Sequence, residues 1–405
     1  MTKLKKDFYG FLAQTSKTPV GLEIASAKEI WLKDMKGRKY LDLISGIAVS
    51  NLGHGHPTII KAIKQQADKH THVMVYGEYI QSSQVQFAKK ICSLLPKSLN
   101  SVYFVNSGSE AVEGALKLAK RYTGRMEIVS FTNAYHGSTH GSLSVMGHET
   151  LKRPFRPLLP GITILPYNDT QALKSITKKT ACVIIEPIQG EGGTIVPTKA
   201  FLQALEKQCR KTGALLIADE IQSGFGRTGK LFAFEHFDIK PDIVTIGKAL
   251  GGGLPLGGFI ATREIMQTLS DNPVLGHITT FGGHPLCCAS GLAALEVVLK
   301  ERLHEKAAKK EKLFRSLLKH PAIKEVRGKG LMLAIEFNDE NLCKKVIDKC
   351  LSYAYSSGKK GIIADWFLFR PGAMRIAPPL IIKEKEIKYA CSVVIKAIKE
   401  VTSSN

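Results

Sequence analysis

The stretch ALLIADEIQSGFGRTG (214–229) decides the fold, because an apolar run, Ala214–Ala218, ends abruptly in two carboxylates, Asp219 and Glu220. A short continuous apolar run of this kind marks a strand buried on both faces, with a polar end open to ligands. Similar runs recur on either side: Val102–Val105, Ile128–Phe131, Ile162–Leu165, Cys182–Glu186, Asp242–Ile246 and Gly257–Ala261. Stretches of helical periodicity lie between them, among them Ser109–Tyr122 and Lys199–Thr212. This alternation over residues 85–262 predicts an α/β fold with a mostly parallel central sheet covered on both faces. Ligands in such sheets bind at the carboxyl ends of the strands.

Outside this region the pattern changes. Leu292–His320 reads as one or two amphipathic helices, Leu331–Phe337 as a strand, and Glu384–Val401, after Pro378 and Pro379, as a final helix. Near the other end, Ile30–Leu32 and Lys39–Leu43 look like strands. We therefore expect a smaller α+β domain built from both chain ends, residues 1–55 and 297–405, around a large domain at 56–296. Position 296 falls in a helical pattern, not in a flexible linker.

The composition excludes several classes. With 405 residues, 44% hydrophobic, the chain is neither disordered nor short of core. The longest stretch without Lys, Arg, Asp or Glu, Asn272–Leu295, contains prolines, glycines and two histidines, so no membrane span is expected. Met1–Lys6 leads into Asp7–Thr15 without a signal-type apolar core, which predicts a cytoplasmic protein. The net charge of +22 raises a polyanion as partner. The lysines, however, sit in mixed-sign helical stretches such as Lys300–Lys319 with few aromatics, so a solvated surface and no specific nucleic acid are expected. The eight cysteines, at 92, 182, 209, 287, 288, 343, 350 and 391, form no Cys-x-x-Cys pair and read as reduced, mostly buried thiols. His54-x-His56 has no carboxylate or thiol at ligand spacing and reads as a turn, so no metal site is expected.

Five segments can carry chemistry. Asp219, at a strand end, could cap a helix, or bind a ribose, a metal or a cationic ring nitrogen. Gly224-x-Gly226-x-x-Gly229 matches the dinucleotide fingerprint in form, but it begins five residues beyond the strand and runs into an aromatic-rich segment. In TIGKALGGGLPLGG (245–258), Lys248 follows a strand directly and lies among six glycines. Its separation from Asp219 allows one crossover between parallel strands, so both groups reach the same end of the sheet. A lysine facing a carboxylate there suits Schiff-base chemistry on a pyridine cofactor. In NSGSEAVEGALKLAK (106–120), Ser107, Gly108 and Ser109 open a helix whose free N–H groups form an anion site. Tyr135-His136-Gly137, after another strand, offers a ring to stack on a flat cofactor, and Arg375 in MRIAPPL could clamp a carboxylate.

Together these segments resemble the class III (ω-amino) aminotransferases of the pyridoxal-phosphate fold-type I group. The resemblance spans YLDLISGIAVSNLGHGHP (40–57), FVNSGSEAVEGALKLAK (104–120), IIEPIQGEGG (184–193), ADEIQSGFGRTG (218–229), TIGKALGGGLPLGG (245–258), TTFGGHP (279–285) and MRIAPPL (374–380), all in family order. It implies pyridoxal 5'-phosphate as cofactor, Lys248 as the Schiff-base lysine and general base, and Asp219 as partner of the pyridinium nitrogen. Gln222 would bond the ring hydroxyl, Ser107, Gly108 and Ser109 would hold the phosphate, and Tyr135 would stack on the ring with His136 beside it. Thr280 would complete the phosphate site of a neighbouring subunit, which implies a homodimer with shared active sites. Glu191 would pair with Arg375 and release it when a dicarboxylate arrives, with Glu186, Pro187 and Arg227 in support. The implied reaction is a ping-pong transfer from an amine donor to a 2-oxo acid, 2-oxoglutarate favoured. An aminomutase or decarboxylase would use the same Lys248 and Asp219.

Departures from the family pattern bear on the donor. Ornithine, acetylornithine and 4-aminobutyrate aminotransferases carry an arginine directly after the aromatic-x-Gly, where this chain has Ser138, and ornithine aminotransferase has a tyrosine at the position of Ile47. YHG without the arginine, RPFRPLLPG (153–161), the segment 271–285 and RGKGLMLAIEF (327–337) are similar to putrescine aminotransferase. A diamine donor such as putrescine is therefore the expectation, with ornithine, acetylornithine, lysine and 4-aminobutyrate as alternatives.

Overall fold

The computed structural model describes residues 1–355 and 360–403. At its centre is a seven-stranded sheet in the order Ser101–Val105, Gly257–Ala261, Ile243–Ile246, Leu215–Asp219, Thr180–Ile185, Glu127–Phe131, Ile162–Leu165. The four neighbouring pairs from Ile243–Ile246 to Ile162–Leu165 are parallel. Gly257–Ala261 runs antiparallel to both its neighbours. The reason is chain length: stretch 247–256 is too short to carry a crossover helix, so the strand must turn back on itself.

Alternate residues of the buried strands face opposite sides. Val183, Leu216 and Ile246 join Phe87, Phe131 and Phe201 in one core, whereas Cys182, Ile184, Ile217 and Ile243 join Ala115, Ile128 and Phe259 in another. Burying each Val, Leu, Ile or Phe among these contributes roughly 1.5–3 kcal/mol. This two-sided burial is what makes the strands read as continuous apolar runs. The crossover helices have sharp ends. Thr198 caps Lys199–Thr212 by accepting the Phe201 N–H, and Gly213 stops it at φ 72°.

Two four-stranded sheets flank this centre. One orders Ile24–Lys28, Trp31–Asp34, Lys39–Asp42 and Gly361–Ile363, and its last pairing, parallel, joins the two ends of the chain. The other is antiparallel and orders Glu325–Lys329, Met332–Glu336, Arg370–Ile376 and Trp366–Phe367. The single strand expected at Leu331–Phe337 is thus one arm of a hairpin that turns at Gly330, φ 60°. A third core gathers Ile30, Leu41, Phe314, Leu333, Ile376 and Ile387. Pro285–Lys300 is one unbroken helix through position 296, and Leu303–Leu317 follows as a second. The first helix gives Cys287, Cys288 and Leu295 to the first core and Ala294, Val297 and Val298 to the third. It has no polar face because it packs on both sides.

All eight cysteines are free, and seven are buried. Burial pushes the thiols of Cys182, Cys343, Cys350 and Cys391 up to about 12, so none of these is a nucleophile at neutral pH. His54, expected in a turn, pairs as an isolated bridge with Glu29 and bonds the strand-end Asp42 at 2.9 Å. Among the described residues no helix is long and apolar enough to cross a membrane.

Candidate active site

The cleft lies where the topology puts it, at the carboxyl ends of the parallel strands. Asp219 is the last residue of its strand and pairs across the ladder with Thr245, three positions before Lys248. Lys248 opens a short turn, Lys248–Gly251, in the left-handed region at φ 48°. That backbone is strained for a residue with a side chain and is held by the packed strand ends around it. Ser107, Gly108, Ser109, Tyr135, His136, Glu186, Asp219, Gln222 and Lys248 all line one cleft of about 200 Å³.

Its floor is a buried hydrogen-bonded set. His136 Nδ1 lies 2.6 Å from Asp219 Oδ2, and Asp219 Oδ1 accepts the Ile221 N–H at 3.1 Å. Glu186 ties two loops together by accepting the Tyr135 N–H at 2.9 Å and the Gly190 N–H at 2.7 Å. Burial pushes the Glu186 carboxyl up to about 7, with His136 drawing it down and Asp219 raising it.

The floor also includes a helix N-terminus. Helix Gly108–Thr123 is capped by the Ser107 hydroxyl, which accepts the Glu110 N–H at 3.2 Å, while Glu110 accepts the Asn106 N–H at 2.8 Å. With the Ser107 hydroxyl committed to the cap, the N–H groups of Gly108 and Ser109 remain for an anion. Two glycines make the approach possible. A Cβ on Gly108 would lie 2.9 Å from an Ile221 methyl, and one on Gly137, φ 129°, would lie 2.2 Å from Ser109 Oγ.

A second group of charges forms the rim. Arg375 Nη2 meets Glu191 Oε2 at 2.8 Å and Oε1 at 3.0 Å, and Arg375 Nε donates to Asp365 Oδ1 at 2.9 Å. Gln222 bridges rim and floor: its Nε2 donates to Glu191 at 3.3 Å, and its Oε1 accepts from Arg375 Nη1 at 3.4 Å. The hairpin of Trp366–Phe367 and Arg370–Ile376 closes over this pair. Leu368 N–H donates to the Glu191 carboxylate at 3.1 Å, Phe369 N–H donates to the Glu191 carbonyl at 3.0 Å, and the guanidinium stacks 4.4 Å over Phe367.

Floor and rim share one electrostatic field. Burial pushes the Lys248 amine below its ordinary value, opposed by Glu191, Asp219 and Glu186 and reinforced by Arg375. Burial would raise the Glu191 carboxyl, but the Arg375 charge and hydrogen bonds bring it below the usual range. Asp365 goes the other way, pushed up to about 6 by burial against the pull of Arg375.

The family model described as aminotransferase class-III matches residues 12–398. The chain belongs to the class-III aminotransferases. It is 40% identical to the acetylornithine aminotransferase of Methanopyrus kandleri over 387 residues, 95% of each chain. It is 39% identical to that of Methanocaldococcus jannaschii over 399 residues, covering 95% of this chain and 94% of the relative. Among solved structures, an ornithine aminotransferase from Toxoplasma gondii ME49 superposes with a TM-score of 0.90 at 30% identity, covering 100% of this chain and 97% of that one. A transaminase from the marine bacterium Virgibacillus superposes with a TM-score of 0.91 at 27% identity, over the whole of both chains.

The cofactor of this class III enzyme is pyridoxal phosphate. Its cleft fits that group. An amine for the aldehyde, a carboxylate for the ring nitrogen and free helix N–H groups for the phosphate line one space, cleared at Gly108 and Gly137. His136, which also lines the cleft, gives its Nδ1 to Asp219 and leaves its buried Nε2 without a partner among the described residues.

The remaining expected residues fall elsewhere. Thr280 is exposed and outside the lining of its own chain's cleft. Ile47 is exposed in a left-handed turn, Ser45–Ala48, where Ile47 has φ 60°. Ser138 is exposed and its hydroxyl lies 3.1 Å from the Tyr135 hydroxyl. Pro187 accepts from the Tyr167 hydroxyl at 3.4 Å. Arg227 is fully buried, donating to the carbonyls of Leu331 at 3.0 Å and Pro378 at 2.6 Å, which ties the strand-end loop to the C-terminal segments. Sequence reading missed Asp365 and the hairpin tip Leu368–Phe369. The signal for them was ADWFLFRPGAMRI (364–376), whose turn at Leu368–Phe369 folds Asp365 back onto Arg375.

Proposed function

We propose that this aminotransferase moves an amino group from the terminal carbon of an amine donor to 2-oxoglutarate. One observation carries the acceptor: Glu191 chelates a guanidinium nitrogen of Arg375 at 2.8 and 3.0 Å on the rim of the cleft that holds Lys248 and Asp219. A guanidinium is the natural partner of a planar carboxylate, and the resident Glu191 occupies it until a substrate carboxylate replaces it.

Bound in the cleft, pyridoxal phosphate supplies an electron sink for charge developing at the substrate carbon. The Gly108 and Ser109 N–H groups would hold its phosphate, Asp219 its ring nitrogen, Tyr135 its face and Lys248 its aldehyde carbon. His136 holds the Asp219 carboxylate in one orientation at 2.6 Å. Lys248 Nζ would take the proton from the donor carbon that bears the nitrogen and later deliver it. Its lowered pKa keeps a share of the amine neutral for this work. In the return half-reaction Glu191 leaves Arg375, and the α-carboxylate of 2-oxoglutarate takes its place. Thr280, exposed on its own chain, would complete the phosphate site of a second copy in a homodimer.

For the donor, the similarity to acetylornithine aminotransferases supports acetylornithine or ornithine ahead of the diamine expected from the sequence. A diamine is the second reading, favoured by Ser138, whose hydroxyl lies against the Tyr135 hydroxyl at 3.1 Å where those enzymes carry a carboxylate-binding arginine. The test is glutamate formation from 2-oxoglutarate with acetylornithine, ornithine, 4-aminobutyrate, putrescine and cadaverine, on the native chain and on Ser138→Arg. With acetylornithine as donor, it outruns putrescine on the native chain, and Ser138→Arg lowers its KM about tenfold through a new charge-assisted contact. Putrescine outrunning acetylornithine overturns the first reading in favour of the second. No glutamate from any donor overturns both.

A further inference from the structure

Arg375 is held by two carboxylates, and they do different things to it. Both Glu191 oxygens approach a single nitrogen, Nη2, whereas Asp365 Oδ1 takes Nε at 2.9 Å. A guanidinium presents its five N–H groups in a rigid plane, so holding Nε fixes the direction in which the two Nη nitrogens face. Asp365 is itself fixed by the hairpin. Its carbonyl accepts the Arg375 N–H at 2.8 Å, so the two residues are locked together by backbone as well as by side chain. Next along the hairpin, Trp366 pairs with Met374.

The other contacts to the guanidinium are weaker. Gln222 Oε1 and the Trp366 carbonyl each lie 3.4 Å from an Nη nitrogen, and Phe367 supplies a stacking face at 4.4 Å. When Glu191 leaves, Asp365 is the ion pair that remains among the described residues. Without it, a charged side chain on a flexible stem would be oriented only by two long hydrogen bonds and a ring.

We propose that Asp365 is a positioning residue for the acceptor: it anchors the Nε edge of Arg375 so that the Nη edge stays aimed into the cleft when Glu191 gives way to the α-carboxylate of 2-oxoglutarate. Glu191 and Asp365 thus act oppositely on the same group. Glu191 competes with the substrate, and Asp365 prepares for it. This rests on the reading of Arg375 as the 2-oxoglutarate clamp.

The experiment uses the cofactor-loaded enzyme and three variants, Asp365→Ala, Asp365→Asn and Arg375→Ala. It measures the KM for 2-oxoglutarate and, separately, the single-turnover rate of the first half-reaction with the fastest donor of the panel. Asp365→Ala raises the KM about tenfold, the loss expected for one charge-assisted hydrogen bond, and leaves the donor half-reaction within about twofold. Asp365→Asn, whose amide oxygen still accepts from Nε, stays within about threefold of the native KM. A merely structural role would lower both half-reactions together and would not be rescued by asparagine. An unchanged KM in Asp365→Ala, or equal loss in Asp365→Asn, overturns the anchor if Arg375→Ala does raise the KM. If Arg375→Ala leaves the KM unchanged, the clamp reading itself falls, and the anchor with it.

Discussion

The floor of the cleft and its rim are built by different means. The floor residues Asp219, Lys248 and Ser107–Ser109 each sit at or just beyond the carboxyl end of a strand in one sheet. Their positions follow from strand register, so that Asp219 opposes Thr245 and Lys248 comes next in line. The rim is assembled from Glu191, in a loop, and Arg375 and Asp365, on two arms of a hairpin from the other end of the chain. A sheet end is a rigid platform for covalent chemistry. A loop pressed against a hairpin can part, as a site that accepts two unlike substrates in turn requires.

Perturbing each part should therefore give different kinetic signatures. The largest effect belongs to the floor. Lys248→Ala should lower turnover with every donor by roughly 1,000-fold or more, since it removes both the covalent partner and the base. The lysine-dependent visible absorbance of the loaded enzyme should vanish with it. A variant that kept full turnover would break the assignment of the floor.

At the rim the effect should be smaller and of opposite sign. Glu191→Gln weakens the ion pair that the incoming carboxylate must replace, so the KM for 2-oxoglutarate should fall roughly threefold to tenfold. The donor half-reaction should change little. A raised KM would mean that Glu191 helps to hold the acceptor and does not compete with it, erasing the contrast with Asp365.

The smallest effect concerns stability and sharpens the view of the floor as a costly platform. Glu220, beside Asp219 but turned into the protein, is fully buried and accepts the Phe234 N–H at 2.7 Å. Burial pushes its carboxyl up to about 7 from an ordinary 4.5. Between those values the folded chain holds a proton that the unfolded chain has released. The Glu220 contribution to stability should therefore be fully present below this window, fall as pH rises through it, and level off above about 7. The Glu220 share is at most about 3 kcal/mol. Glu220→Gln should flatten the slope of Tm between about pH 5 and pH 7.5 in thermal unfolding without cofactor. Glu186, also pushed up to about 7, should leave a residual slope.

The floor was legible in the sequence for the same reason that it is rigid. Strands buried on both faces must be apolar, so the first polar residue after each run, such as Asp219, marks the sheet end where ligands gather. The helix start at Ser107 was legible because a serine cap and the acidic Glu110 leave a local signature. The hairpin Glu325–Lys329 and Met332–Glu336 was only half visible, because Glu325, Arg327 and Lys329 mask its first arm with charge. The donor expectation shifted for a related reason. Ser138 is one exposed residue, whereas similarity to acetylornithine aminotransferases extends over nearly the whole chain.

By itself the sequence determined the α/β sheet, the lysine and carboxylate at its strand ends, and the helix N-terminus that takes an anion. These are local consequences of burial and capping, written into neighbouring residues. Only the tertiary structure decided which charges meet at the rim, because ion pairing between Glu191 and Arg375 requires two remote segments to be brought together by packing. It likewise decided that Asp365 takes the Nε edge of Arg375, since that depends on hairpin register and leaves no periodic trace in the chain.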